Sequence, residues 1–139
     1  MISSSATAHA CVDTSAWIEF LRDTNSRVCN TVDGLLGEDI AITDAISMEV
    51  LAGARDDHHL TRLRGLLARA TVLPTTPADY DHAAALSRTC RRGGETVRRL
   101  IDCLIAAVTI QADARIIHAD TDFDALARHT TLRIHTPGE

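Results

Sequence analysis

The chain has 139 residues, 45% of them hydrophobic, which suits one domain built around one core. Its formal charge of −5, from 19 acidic and 14 basic residues, does not create the broad positive field of a typical nucleic-acid binder. No apolar run reaches transmembrane length and the first ten residues do not resemble a signal peptide, so no membrane association and a cytoplasmic location are expected.

All 14 basic residues are arginine. Arginine is the better residue for bidentate contacts to phosphate, although a compositional bias that also shows in the abundant alanine would give the same count. Cys11, Cys29, Cys90 and Cys103 form no C-x-x-C pair and sit among apolar or helical residues, as reduced, buried thiols do.

Residues 1–9 are expected to form a flexible head. Ala8–Asp13 predicts a short buried strand ending on a carboxylate, followed by a helix from Thr14. Asp13 is thus either a ligand at a strand's carboxyl end or the cap of that helix. Ser26–Leu36 predicts a helix and Asp39–Thr43 a strand, after which Asp44 is expected to cap a helix carrying a lone acid, Glu49. Glu49 reads as a site residue or as an exposed glutamate on the helix's polar side.

Asp56–Ala70 predicts an amphipathic surface helix whose adjacent His58 and His59 lack metal-ligand spacing. A strand at Thr71–Leu73 and a helix at Pro77–Arg92 follow, with Gly93-Gly94 opening a loop expected to move on docking. Leu100–Ala112 is an apolar helix with a single charge, Asp102, flanking its apolar face. A carboxylate there loses hydration that a cation, a metal or donors must replace, and Arg98 and Arg99, one turn earlier, are the local alternative. Arg115–Ala119 predicts a strand leading into Asp120-Thr121-Asp122-Phe123-Asp124, with Asp122 expected to cap a helix at Phe123–Arg128 and Asp120 to serve as the better ligand. Thr131–His135 predicts a last strand, and 136–139 a frayed tail.

Alternating strands and helices without internal repeats predict a single α/β domain: a three-layer α/β/α arrangement with a short, mainly parallel sheet of four or five strands. Right-handed crossovers place all strand carboxyl ends on one edge, where Asp13, Glu49, Asp102 and Asp120 can meet. Clustered carboxylates need a cation between them, and oxygen-only ligands suit Mg²⁺ or Mn²⁺. Such a site can activate water against a phosphodiester. No G-x-G-x-x-G, Walker A or serine-elbow segment is present, and a receiver domain's lysine is lacking.

Val12-Asp13-Thr14-Ser15-Ala16-Trp17-Ile18, Ser47-Met48-Glu49-Val50-Leu51-Ala52-Gly53, Ile101-Asp102-Cys103-Leu104-Ile105-Ala106-Ala107 and His118-Ala119-Asp120-Thr121-Asp122-Phe123-Asp124 together resemble the PIN-domain family. Within it the chain resembles the VapC-type toxins of bacterial toxin–antitoxin pairs, mycobacterial ones in particular, from about residue 10 to residue 135. The resemblance implies a Mg²⁺- or Mn²⁺-dependent endoribonuclease acting on structured RNA such as tRNA or rRNA. It implies Asp13, Glu49, Asp102 and Asp120 as the acidic quartet and Asp122 as an auxiliary metal ligand. It also implies a homodimer and a VapB-like antitoxin inserting into the active-site groove. His118 stands where many relatives carry a threonine or serine. Arg91, Arg92, Arg98 and Arg99, flanking the glycine loop, are the expected phosphate contacts or, alternatively, a solvated helix end. Trp17 and Phe20 read as core or dimer contacts. The competing functions are a catalytically silent module that binds RNA or protein, and another metal-dependent phosphodiesterase.

Overall fold

The computed structural model describes residues 10–136; the predicted head at residues 1–9, and the tail beyond Thr136, lie outside the described residues. The chain runs β1 (Ala10–Val12), α1 (Thr14–Leu21), α2 (Arg27–Leu35), β2 (Ile40–Thr43), α3 (Asp44–Ala52) and α4 (Asp57–Leu67). It continues through β3 (Thr71–Leu73), α5 (Pro77–Arg92), α6 (Leu100–Gln111), β4 (Arg115–Ile117), α7 (Thr121–His129) and β5 (Arg133–Ile134).

All five strands are parallel, in the order β3-β2-β1-β4-β5. The chain therefore builds outward from β1 in one direction through β2 to β3, then crosses back to lay β4 on the other side of β1. Right-handed connections put helices before and after that reversal on opposite faces. The helix contacts agree: α1 packs on α2 and α3, and α3 on α4, whereas α5, α6 and α7 pack on one another. The gap between the carboxyl ends of β1 and β4 is the point where strand order reverses, the position at which open α/β sheets form crevices.

The apolar runs of the sequence become the centre of this three-layer structure. β2 is buried along its whole length, and α6 buries every residue from Cys103 to Thr109 except the half-buried Leu104. Trp17 is fully enclosed and meets Phe20 edge-on at 6.2 Å, so Trp17 belongs to the core and not to a dimer contact. The four cysteines are free and buried, and burial raises the Cys11 thiol to about 12 and the Cys103 thiol to about 11, which keeps both as inert packing groups.

Two expected caps move. Thr43, not Asp44, caps α3, its Oγ1 accepting from the Ile46 N–H at 3.2 Å, and Asp44 becomes the first helical residue. β4 stops at Ile117, two residues earlier than predicted, so α7 starts sooner and Asp120 takes the cap expected of Asp122. The glycine loop also has a different logic. Glu95 accepts from Arg128 Nε at 2.8 Å and pairs with His129 at 2.8 Å, which ties the loop to α7. Gly93 is needed because a Cβ there would stand 2.4 Å from the His129 ring, and Gly94 adopts φ +90°. The loop is braced by packing, and no freedom to move is required to explain its glycines.

Gly93→Ala should therefore destabilise the fold by about 1–3 kcal/mol, since the His129 ring can yield only by straining its pair with Glu95. Gly37→Ala, where an added Cβ meets nothing within 4 Å, should stay within about 0.5 kcal/mol. Equal shifts in urea midpoint for the two variants would contradict the packing role of Gly93.

Candidate active site

Asp13 follows β1 directly, and its N–H continues the β1–β4 ladder by donating to the Ile117 carbonyl at 2.9 Å. Its carboxylate caps α1: Oδ2 accepts from the Ser15 N–H at 2.9 Å and from Ser15 Oγ at 2.6 Å. The same Ser15 hydroxyl accepts from the Ala119 N–H at 2.9 Å, so one side chain pins the ends of β1 and β4 together. The cap expected of Asp13 is thus present, and it leaves part of the carboxylate over. Only one oxygen is used in the cap; Asp13 Oδ1 is buried and has no hydrogen-bond partner in the described structure.

Asp102 enters the same space from the first turn of α6, Asp120 from the N-cap of α7 and Asp122 from its first turn. Ligand-capable atoms of Asp102, Asp120 and Asp122 lie within 4.8 Å of one another. Asp120 Oδ1 accepts from the Asp122 N–H at 3.0 Å, closing the turn that aims both carboxylates. Asp102 and Asp122 are only 2% and 4% exposed, and each leaves its Oδ2 buried without a partner. Three buried, unpartnered carboxylate oxygens at one sheet edge are the polar groups a fold normally avoids. They fit a hard divalent cation, for which carboxylate oxygen is the natural ligand.

Burial dominates the electrostatics. It raises the Asp102 carboxyl from its ordinary value to about 8, with the Asp13 charge adding to the rise, Arg99 opposing it, and the neighbouring Asp122 carboxyl favouring the protonated form. Burial also raises Asp13, against the lowering effect of its Ser15 and Thr14 hydrogen bonds, with Glu49 adding a small push upward.

The arginines expected to form one phosphate rim divide into two groups. Arg98 reaches across the cluster, Nη2 to Asp120 Oδ1 at 3.1 Å and Nε to Asp122 Oδ1 at 3.2 Å, while Arg99 donates to Glu49. Neither makes the one-turn pair with Asp102 that helix spacing suggested, because Arg99 is itself the residue preceding α6 and both precede its first turn. Arg91 and Arg92 stay exposed in the last turn of α5, where Arg92 donates to Thr89 of the same helix.

Glu49 stands at the rim of the cluster. Thr14 Oγ1 donates to its Oε1 at 2.6 Å and Arg99 holds its other oxygen, so its orientation is fixed from two sides. Asp124, the last acid of the turn, faces away from the cluster to His118 at 3.4 Å. His118 lies against Phe123 with ring centroids 5.4 Å apart, and its Nδ1 accepts from the Asp120 N–H at 3.1 Å, which orients that turn. Sequence reasoning missed Thr14 and Ser15 as positioning residues. Their signal was adjacency to Asp13 in Val12-Asp13-Thr14-Ser15, where two hydroxyls begin a helix beside a strand-end acid.

The PIN domain family model matches residues 10–129, the span that contains every acid of the cluster. The chain belongs to the PIN-domain family. The VapC ribonuclease Mb1587 of Mycobacterium bovis and ribonuclease VapC11 of Mycobacterium tuberculosis are each 46% identical to it over 126 residues, covering 88% of this chain and 94% of theirs. Among solved structures, this PIN domain is similar to VapBC2 from Rickettsia felis bound to a promoter DNA fragment. The TM-score is 0.73 at 16% identity, over 91% of this chain and 96% of that one. A toxin–antitoxin complex from Klebsiella pneumoniae gives a TM-score of 0.67 at 23% identity, over 82% and 89%. Among the described residues no helix of the PIN domain is long and apolar enough to cross a membrane.

The raised Asp102 carboxyl gives a signed pH dependence. Folded Asp102 holds its proton to about pH 8 while the unfolded chain releases it near its ordinary value of 3.8, so the native state binds more protons between those limits. Stability of the metal-free protein should then fall as pH rises from about 4 to about 8. Asp102→Asn should flatten that slope, and thermal melts at one-unit pH steps read it directly. A slope unchanged by the substitution would remove Asp102 as its source.

Proposed function

We propose that this protein is a VapC-type toxin of a type II toxin–antitoxin pair, an endoribonuclease that uses Mg²⁺ or Mn²⁺ to cut structured RNA such as tRNA or rRNA. The observation that carries the proposal is the set of buried, unpartnered oxygens of Asp13, Asp102 and Asp122 at the sheet's reversal point. It gains weight from a chain 46% identical to proteins named VapC ribonucleases.

In this reading Asp13, Asp102, Asp120 and Asp122 hold the cation, with Glu49 completing the acidic set from the rim. A cation held there would supply Lewis acidity, lowering the pKa of water and neutralising charge on the scissile phosphodiester. The chain supplies the geometry. Ser15 locks Asp13 against the β4 end, His118 and the Asp120 cap aim the α7 acids, and Thr14 with Arg99 fixes Glu49. α6 acts as a rigid beam that presents Asp102 from a buried helix. Arg98 neutralises Asp120 and Asp122, and is the best placed of the four loop arginines to move onto a substrate phosphate. Arg99 is next to it, and Arg91 and Arg92 remain as more distant phosphate contacts.

The protein is also proposed to act as a homodimer held off by a VapB-like antitoxin. Met48, Tyr80 and Leu100 are 58%, 61% and 67% exposed and border one continuous apolar face with Ala84, Ile101 and Leu104 across α3, α5 and α6. An exposed apolar surface of this kind is suited to bury a second copy.

Purified protein should cleave RNA with Mn²⁺ or Mg²⁺ and not with EDTA, and Asp13→Asn or Asp102→Asn should each lower the rate at least about 100-fold. Cleavage that persists in either variant would overturn the site assignment, and DNA cleaved in preference to RNA would redirect the substrate. Tyr80→Glu with Leu100→Glu should convert a dimeric mass to a monomeric one in light scattering; a monomeric parent protein, or a dimer indifferent to both changes, would remove this interface.

A further inference from the structure

Next to the acidic cluster lies a second cavity of about 420 Å³ with the opposite charge. Its lining includes Glu49, which stands at the rim of the cluster, and Thr14, which holds Glu49, and it carries Arg22 from the residue after α1, Arg55 from the α3–α4 connection and Arg62 from α4. None of these three side chains has an ion-pair partner among the described residues, whereas Arg98, Arg99, Arg128 and Arg133 are each paired with a carboxylate. His59 joins them. Its Nδ1 accepts from the Arg55 N–H at 3.0 Å, which leaves the ring proton on Nε2 as a donor. One part of the wall is apolar, with Ile18 and Leu21 38% and 43% exposed.

We infer that this cavity is a nucleotide-binding subsite that seats one residue of the RNA strand adjoining the cleaved bond, its phosphate on Arg22, Arg55 and Arg62 and its base against Ile18 and Leu21. The inference rests on the ribonuclease reading above. Its volume falls within the range of small-ligand pockets, and an apolar wall with a few convergent donors is the usual composition of such sites. Three unpaired guanidiniums offer strong, fork-shaped donors to phosphate oxygens. Charge complementarity also sets the direction. A strand whose scissile phosphate lies at the acids must carry its neighbouring phosphates across adjoining surface, and the cavity joins that surface at Thr14 and Glu49. The local cations offset the acidic total of the chain where the polyanion passes. His58 and His59, which have no metal-ligand spacing, thus part company: His59 lines the cavity and His58 does not.

The probe is a fluorescein-labelled pool of random ten-nucleotide RNA, titrated with Ca²⁺ in place of Mg²⁺ and followed by anisotropy, with gels to confirm that the RNA is intact. Arg55→Gln with Arg62→Gln should raise Kd about tenfold and reduce the slope of log Kd against log salt by about 1.4, the loss of two phosphate contacts on a single strand. Leu21→Ser should weaken RNA binding with no change in the salt slope. Arg88→Gln, an exposed arginine on α5, should change neither. Melting curves keep folding defects out of the comparison. RNA affinity and salt slope unchanged in the double arginine variant would overturn the subsite, and so would a loss confined to the binding of an acidic antitoxin-type peptide. Cleavage assays on the parent protein separate the two proposals. RNA cleaved but bound without help from Arg55 and Arg62 refutes the subsite alone. Arginine-dependent binding without metal-dependent cleavage refutes the ribonuclease reading and with it the placement beside a cleaved bond, leaving the cavity as an RNA-binding site only, and no RNA binding by the parent protein refutes both.

Discussion

The constraint on which the structure turns is the burial of carboxylates at the carboxyl edge of a parallel sheet. Asp13, Asp102 and Asp122 are nearly sealed from water, yet each keeps one oxygen with no hydrogen-bond partner in the described structure. Removing a charged group from water without compensation is among the most expensive choices a fold can make, and the rise of the Asp102 carboxyl to about 8 is its visible consequence. The surroundings limit the damage without abolishing it. Ser15 satisfies one oxygen of Asp13, and Arg98 offsets Asp120 and Asp122 from the solvent side, but neither reaches the buried oxygens.

The order of strands explains why the acids converge. β1 lies at the centre and β4 beside it, so residues separated by most of the chain end at one reversal point, and the Asp13 N–H to Ile117 carbonyl bond extends that pairing to the site itself. The helices then act as fixed arms. α6 is held on several sides by the core and cannot retreat to hydrate Asp102, and the α7 turn is aimed by His118 and by the Asp120 cap. Preorganisation of this kind fixes ligand positions before a cation arrives.

Much of this was readable in the sequence, and the parts that were not have physical reasons. The helix at Pro77–Arg92 and the strand at Thr71–Leu73 match their predicted bounds because periodicity and Gly or Pro punctuation agree there. Caps shift where two residues within a turn of each other could each serve, as with Thr43 and Asp44 or Asp120 and Asp122, since composition cannot choose between candidates that differ only in backbone geometry. The acids of the cluster were legible because Asp102 interrupts an apolar helix and Asp13 and Asp120 end predicted strands. Their partners were not, because Thr14 with Glu49 and Arg99 with Glu49 are contacts across 35 and 50 positions that only the fold creates. Gly93 was read as a source of freedom, whereas its packing against His129 depends on α7, far along the chain.

A divalent cation among the buried acids would displace the proton that the raised Asp102 carboxyl holds at neutral pH. Isothermal titration of metal-free protein with Mn²⁺ at pH 7, repeated in buffers of different ionisation enthalpy, measures binding and proton release together. Saturable binding with release of a proton is expected, with loss of both in Asp102→Asn. Absence of binding, or binding of unchanged affinity in Asp102→Asn without proton release in either protein, would contradict this exchange.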